Sequence, residues 1–150
     1  VTVDEDVMVE IGRTCVLMRT RLVSRIVTNL YDDALRAHGV NAPQFALLAL
    51  IFNMGRPTRA EIGRALHQDR STLTRNLRLI LSAGWAEEVP SDAGGRARPL
   101  MLTRAGEDLV RTSVPAWRAA QAQARAVLGP EGVAAITTIA DGLIGGDHGA

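Results

Sequence analysis

Apolar residues return along this chain at two rhythms. Over most of its length they recur every three or four positions, the period of a helix. Between about residues 85 and 103 the rhythm changes: two short apolar runs, Trp85-Ala-Glu-Glu-Val89 and Pro99-Leu-Met-Leu-Thr103, flank a loop holding Gly94 and Gly95. The pattern predicts a mainly α-helical chain with one small β-hairpin.

The first helical segment reads as one long helix over residues 4–37, with no Gly or Pro between Arg13 and Ala37. Cys15, Leu17, Leu22, Val23, Ile26, Val27, Leu30, Tyr31 and Leu35 place apolar groups on nearly every face. Arg13, Arg21, Arg25 and Arg36 leave only a narrow polar stripe, so this helix needs cover on more than one side. Gly39 is its stop. Asn41-Ala-Pro-Gln44 then caps a second helix, Phe45 to Asn53, so apolar that it is expected to be buried. After Pro57, Thr58-Arg-Ala-Glu61 is a capping box opening a short helix with Ile62, Ala65 and Leu66 on its apolar side. Beyond the hairpin, Thr103 begins a long helix with Leu109, Val110, Val114, Trp117, Ala120, Ala124, Val127 and Leu128 on its inner side. Pro115 is expected to kink it. Gly129-Pro130-Glu131 opens a last helix reaching about Ile144, and the tail from Gly145 to Ala150 is expected to be disordered.

The stretch Asp69 to Arg78 carries the candidate chemistry. Asp69 can cap it and Gly84 can end it. Leu73, Leu77, Ile80 and Leu81 recur at helical spacing and must face a core. Ser71, Thr74, Arg75 and Arg78 fall on the opposite side. Short hydroxyls and guanidinium groups on one face suit base edges and phosphates, but a merely solvated face would look the same. The context decides between them. A short capped helix, the tight link His67-Gln68 and a longer helix with a polar outer face form a helix-turn-helix. A hairpin with Arg96 and Arg98 near its tip follows directly, as a wing would. Thr72 and Asn76 lie between the two faces and could pack or touch DNA.

Charge sharpens this picture only when read locally. The net charge of +1 says nothing about nucleic acid. Between Arg56 and Arg104, however, nine arginines face five acids, a local excess of +4 that leaves −3 for the remainder. All 17 basic residues are arginine, which offers bidentate forks to phosphate and guanine but also follows from codon bias. With 47% apolar residues and only 3% aromatic, the core must be built from Leu, Val, Ile and Ala. The helices at the two ends carry more apolar surface than one small domain can hide. A second copy of the chain would cover it; a monomeric bundle with that surface internal is the alternative.

Taken together, Asn41-Ala-Pro-Gln44, Glu61-Ile-Gly63, Ser71-Thr-Leu-Thr-Arg75, Ala83-Gly-Trp85, Asp92 with Arg96, and Leu102-Thr-Arg-Ala-Gly106 resemble the MarR family of bacterial transcription regulators. The likeness runs roughly from Cys15 to Leu128. It implies a winged helix-turn-helix lobe over residues 41–103. Long N- and C-terminal dimerisation helices, residues 4–37 and 104–144, would flank that lobe within one domain spanning 1–150. It also implies a homodimer, usually a repressor, on double-stranded DNA with a pseudopalindromic operator. Carried over by position, Ser71, Thr72, Thr74 and Arg75 match residues that meet DNA, and Arg96 matches the wing arginine of the minor groove. With Arg59, Arg78 and Arg98 they make up the candidate DNA contacts. The wing departs from the family pattern: Asp92-Ala-Gly-Gly-Arg96-Ala-Arg98 lacks an internal acid, leaving open which arginine forms the tip.

The resemblance further implies release by a small aromatic or phenolic effector, for which Arg21, Arg25 and Trp117 are the candidate contacts. A thiol-based alternative would use Cys15, with Tyr31 at the position of a tyrosine near the thiol in hydroperoxide sensors. A non-specific DNA-binding winged-helix protein is the other alternative. His38, His67 and His148 are scattered, so no metal site and no cofactor is expected. Nucleophile-elbow, phosphate-loop and zinc motifs are missing, which argues against an enzyme. The single cysteine excludes an intramolecular disulfide framework, and no apolar run approaches the ~18 residues of a membrane span. With no signal peptide evident, a cytoplasmic protein without membrane association is expected.

Overall fold

Helix ends written into the sequence set the element order. The computed structural model describes residues 4–145. The order is α1 (Glu5–Thr14), α2 (Val16–Leu35), a 3-10 turn (Arg36–His38), α3 (Ala42–Asn53), α4 (Arg59–Leu66), α5 (Arg70–Ser82), β1 (Ala86–Glu88), β2 (Leu100–Leu102) and α6 (Arg104–Gly145). The expected tail beyond Gly145, with His148, lies outside the described residues. The fold is thus mainly α with a small antiparallel wing, as the periodicity predicts.

Caps behave as the residue types dictate. Asn41 and Gln44 form a reciprocal capping box at α3, and Thr58 and Glu61 form another at α4. Gly39 and Gly84 adopt positive φ (71° and 74°) where their helices stop.

Three expectations are corrected. Residues 4–37 do not form one helix: the backbone leaves helical angles at Cys15 (ψ 113°), separating α1 from α2. No residue of α1 is buried in its own chain, so no packing holds it collinear with α2. The Arg19 guanidinium reaches back to the carbonyls of Arg13 and Cys15, spanning the break; the Cys15 carbonyl also accepts the Arg19 amide. Second, α6 keeps helical angles through Pro115; the only non-helical residue within it is Gly129 (φ 69°, ψ 165°), just before Pro130. Only glycine adopts that conformation cheaply, so the break falls where the last helix was expected to open, and the kink expected at Pro115 is missing. Third, α3 is not wholly covered: Phe45, Leu47, Leu48 and Ile51 are buried, but Phe52 is 63% exposed. In α4, likewise, Ile62 is buried and Leu66 is exposed.

Two cores result. One joins α3, α4, α5 and the wing through Leu47, Leu48, Ile51, Ile62, Leu73, Leu77, Ile80, Ala86, Leu100 and Leu102. The other gathers Leu35, Val40 and Phe45 with Tyr31, Ala116 and Trp117. Trp85, Leu109 and Val110 pack against both. At that joint, a methyl group on Gly106 would come within 1.9 Å of the Trp85 carbonyl oxygen. Thr103 clamps the same place: its hydroxyl donates to the Gly84 carbonyl (2.6 Å), and its amide donates to the Trp85 carbonyl (3.1 Å).

Outside these cores the terminal helices remain bare. Val16, Leu17, Met18, Leu22, Ile139 and Ile144 are among the exposed apolar residues. One 18-residue window of α6 even reaches the mean hydropathy and length of a membrane-crossing helix, although no uninterrupted apolar run occurs there.

Candidate DNA-binding surface

The surface is built from the start of α5 outward. Asp69 accepts the Thr72 amide (2.9 Å), as an N-cap should. The same carboxylate takes the Ser71 hydroxyl (2.6 Å) and the Thr72 hydroxyl (2.7 Å). These bonds, the Ser71 hydroxyl foremost, hold the Asp69 carboxyl well below the usual carboxylate range. Further along, Thr74, Arg75 and Arg78 are exposed on the side opposite buried Leu73, Leu77 and Ile80. Thr72 and Asn76, whose face the sequence left open, are half-buried at the boundary.

The turn before α5 has one feature that composition does not announce. His67 sits in the left-handed region (φ 48°), the only described non-glycine residue to do so. Its amide bonds to the Arg64 carbonyl and that of Gln68 to the Gly63 carbonyl (both 3.2 Å). This is a Schellman ending, and it swings the chain from α4 into α5.

The wing is short. Ala86 pairs with Leu102, Glu87 with Met101 and Glu88 with Leu100. A three-pair ribbon is marginal alone, so the body must hold it. Leu100 and Leu102 are buried in the core, and the Leu100 amide donates to the Pro57 carbonyl (2.8 Å). Two ion pairs add to this. Arg59 places Nε 2.8 Å from Glu88 Oε1, and Arg56 lies 3.2 Å from Asp92. The loop between the strands exposes Arg96 and Arg98, neither of which has an acidic partner among the described residues. Gly94 and Gly95 both take positive φ (74° and 91°), the turn that brings these arginines round.

Beside α5 lies a hollow of about 1290 Å³ between α4, α5 and the end of α6. Arg64, His67 and Arg70 contribute to its wall, with Leu73, Leu143 and Ile144.

This arrangement of capped helix, left-handed turn, exposed basic helix and arginine-bearing wing has counterparts of known structure. A family model described as "MarR family" matches residues 38–97. MosR, a transcriptional regulator from M. tuberculosis solved in complex with DNA, is 31% identical, with a TM-score of 0.73 over 85% of this chain and 95% of that one. The chain belongs to the MarR family. That makes it a DNA-binding transcription regulator and not an enzyme. Two solved structures of lower identity share the fold of this MarR-family chain. A cysteine-to-serine mutant of MarR from E. coli, complexed with operator DNA, is 21% identical (TM-score 0.76, covering 95% of this chain and 99% of that one). BpsR from Bordetella bronchiseptica, whose DNA binding is regulated by 6-hydroxynicotinic acid, is 18% identical (TM-score 0.73, covering 88% and 94%). No curated protein matches the sequence.

The MarR fold does not bring all the expected site residues together. Ser71, Thr72, Thr74, Arg75 and Arg78 share α5, and Arg96 and Arg98 share the wing loop. Arg59 lines the hollow beside α5 together with Thr74 and Arg70, and two of its guanidinium nitrogens are paired with Glu88. Arg21 and Arg25 line a shallow hollow with Thr20 and Ser24, while Trp117 packs in the second core and is not part of it. Cys15 lies at the α1–α2 break, half-buried. Tyr31 donates its hydroxyl to Gln121, and burial pushes its pKa up. Tyr31 lies sixteen positions beyond Cys15, roughly 24 Å along α2, so one chain does not place its tyrosine on its own thiol. Among the described residues no three of His, Cys, Asp and Glu converge. The sequence named His67 in the link between the helices, but neither its left-handed conformation nor the pairing of Glu88 nor the α4–α5–α6 hollow could be read from it. The first two bear a signal only in retrospect, because left-handed histidines and cross-element ion pairs leave no periodic trace.

Proposed function

We propose that this chain is a homodimeric repressor. It holds a pseudopalindromic operator through α5 and the wing, and releases it when a small aromatic or phenolic effector binds. The observation that carries the DNA reading is the exposed row Ser71, Thr74, Arg75 and Arg78, together with two exposed wing arginines that have no acidic partner among the described residues. Relatives of this fold held on DNA, MosR and MarR, support it. A helix ~10–12 Å across fits a major groove ~12 Å wide, and two-fold symmetry puts two such helices in successive grooves about 34 Å apart. Phosphate contacts provide most of the affinity and make it fall steeply with salt. Arg75 and Arg78 add preference for particular bases.

Bare apolar faces on α1, α2 and α6 support the dimer, because a monomer leaves them in water. The regulation of BpsR by an aromatic acid supports the effector class. Arg64 and Arg70 beside Leu73, Leu143 and Ile144 offer a carboxylate and a ring complementary surfaces in the hollow next to α5. A ligand there would favour release by binding better to an α5 displaced from its DNA-ready position.

Selection of bound duplexes from a random-sequence pool tests the reading. A recurrent pseudopalindrome is expected; an affinity equal for selected and random duplexes would favour the non-specific alternative. On the selected duplex, Arg75→Ala should cost roughly 1–3 kcal/mol, the range for losing a good base contact. Arg96→Ala should weaken all sequences nearly alike, and a loss confined to the selected site would contradict its backbone or minor-groove role.

A further inference from the structure

Of the four ion pairs among the described residues, Arg59–Glu88 is the least exposed, with side chains 42% and 33% accessible. It also joins two elements far apart in sequence. Arg59 is the first residue of α4, fixed there by the Thr58–Glu61 capping box. Glu88 is the last residue of β1 and pairs with Leu100, the residue whose amide reaches Pro57. Both Nε and a terminal nitrogen of Arg59 donate to the same Glu88 oxygen. The Pro57 carbonyl and the Arg59 fork therefore grip the same rung of the wing from one side. Beyond that rung the chain departs into the loop that carries Arg96 and Arg98.

A glutamate at this place is electrostatically wrong for a surface that meets phosphate, and it silences an arginine that would otherwise be right. We infer that Arg59 and Glu88 are a wing-positioning pair: together they set the angle of the β1–β2 wing against α4, and Arg59 makes no contact with DNA. The inference rests on the DNA-binding reading of α5 and the wing for its consequence, though not for its geometry. It predicts an outcome of unusual sign. Removing the negative charge of Glu88 ought, on charge alone, to tighten DNA binding. If Glu88 positions the wing, the same change weakens it, because Arg96 and Arg98 lose their aim.

Four full-length variants decide this: Glu88→Gln, Arg59→Gln, the double Arg59→Gln/Glu88→Gln, and the swap Arg59→Glu/Glu88→Arg. Two measurements are made on each, with thermal unfolding as a check that the body is intact. The first is amide hydrogen exchange of the wing without DNA. Faster exchange at residues 86–102 in both single variants, with α5 unchanged, is expected; equal exchange overturns the positioning role. The second is affinity at low salt, where exposed pairs are strongest, for a duplex selected by the wild-type protein from a random pool. Each single variant should bind about threefold more weakly, the modest scale of a partly exposed pair. The double should be no worse than either, and the swap should recover most of the loss. Tighter binding by Glu88→Gln, or a swap as weak as Arg59→Gln, would sink the inference. If the wild-type protein selects no sequence, the operator reading fails, and hydrogen exchange alone still passes judgement on the pair.

Discussion

At the scale of single residues, Asp69 does the most. One carboxylate ends three hydrogen bonds at the start of α5, where helix N–H groups are otherwise unsatisfied. Those bonds favour its charged form, so its pKa in the folded chain lies below the unfolded value. The sign follows: its stabilising contribution is present above the unfolded carboxylate value, about 3.9, and is lost as pH falls below it toward the folded value. Glu61 behaves in the same sense, chiefly because it accepts the Thr58 amide. Thermal unfolding of wild type and Asp69→Asn should therefore differ at pH 7, with the wild type more stable, and converge as pH drops below about 4. A difference independent of pH would assign the effect to shape and not to charge. The cap was legible in the sequence because Asp at a helix start is a local choice. The hydroxyls of Ser71 and Thr72 were legible as candidates, but their engagement by Asp69 was not, since rotamers depend on neighbours.

Among elements, the seam between α5 and α6 is the most constrained. Gly84, Trp85, Thr103 and Gly106 lock the end of α5 to the start of α6 through two hydrogen bonds and one backbone approach that excludes any side chain. Gly106→Ala should lower stability by about 1–3 kcal/mol, since the clash is with backbone and not with a yielding side chain. A denaturant midpoint unchanged from wild type would show that α6 can slide. A larger loss of DNA affinity than of stability would show that the seam sets the pose of α5. Element types and most boundaries followed from period, caps and turn residues. The break at Gly129 did as well, but the one at Cys15 and the straight passage through Pro115 did not. Cys15 carries no breaking signal, and α1 parts from α2 because nothing in its own chain holds it. Pro115 carries a strong signal, yet helical angles survive there while Gly129 yields.

For the whole molecule, the decisive quantity is apolar surface left bare. Ile139 is 62% exposed on the last part of α6, and Leu17 is 64% exposed near the start of α2. Such surface is costly in water and fits a second copy. Ile139→Arg should shift the protein toward monomer in sedimentation while leaving the α3–α5 core folded. On the proposed dimer, operator affinity should fall as the two α5 helices lose their fixed spacing. A variant that remains dimeric would move the interface elsewhere.

What the sequence determined by itself is what local chemistry controls: helical periods, both capping boxes, the hairpin, the split of α5 into a leucine face and an arginine face, and through these the family. Each depends on residues within a few positions of one another. What only the tertiary structure decided involves residues far apart. Arg59 is paired with Glu88 across 29 positions, Trp117 lies in a core away from Arg21 and Arg25, and Gly106 is pressed against Trp85. Charge at a position says that an arginine can meet a phosphate. Whether it is free to do so depends on which acid the fold has brought beside it.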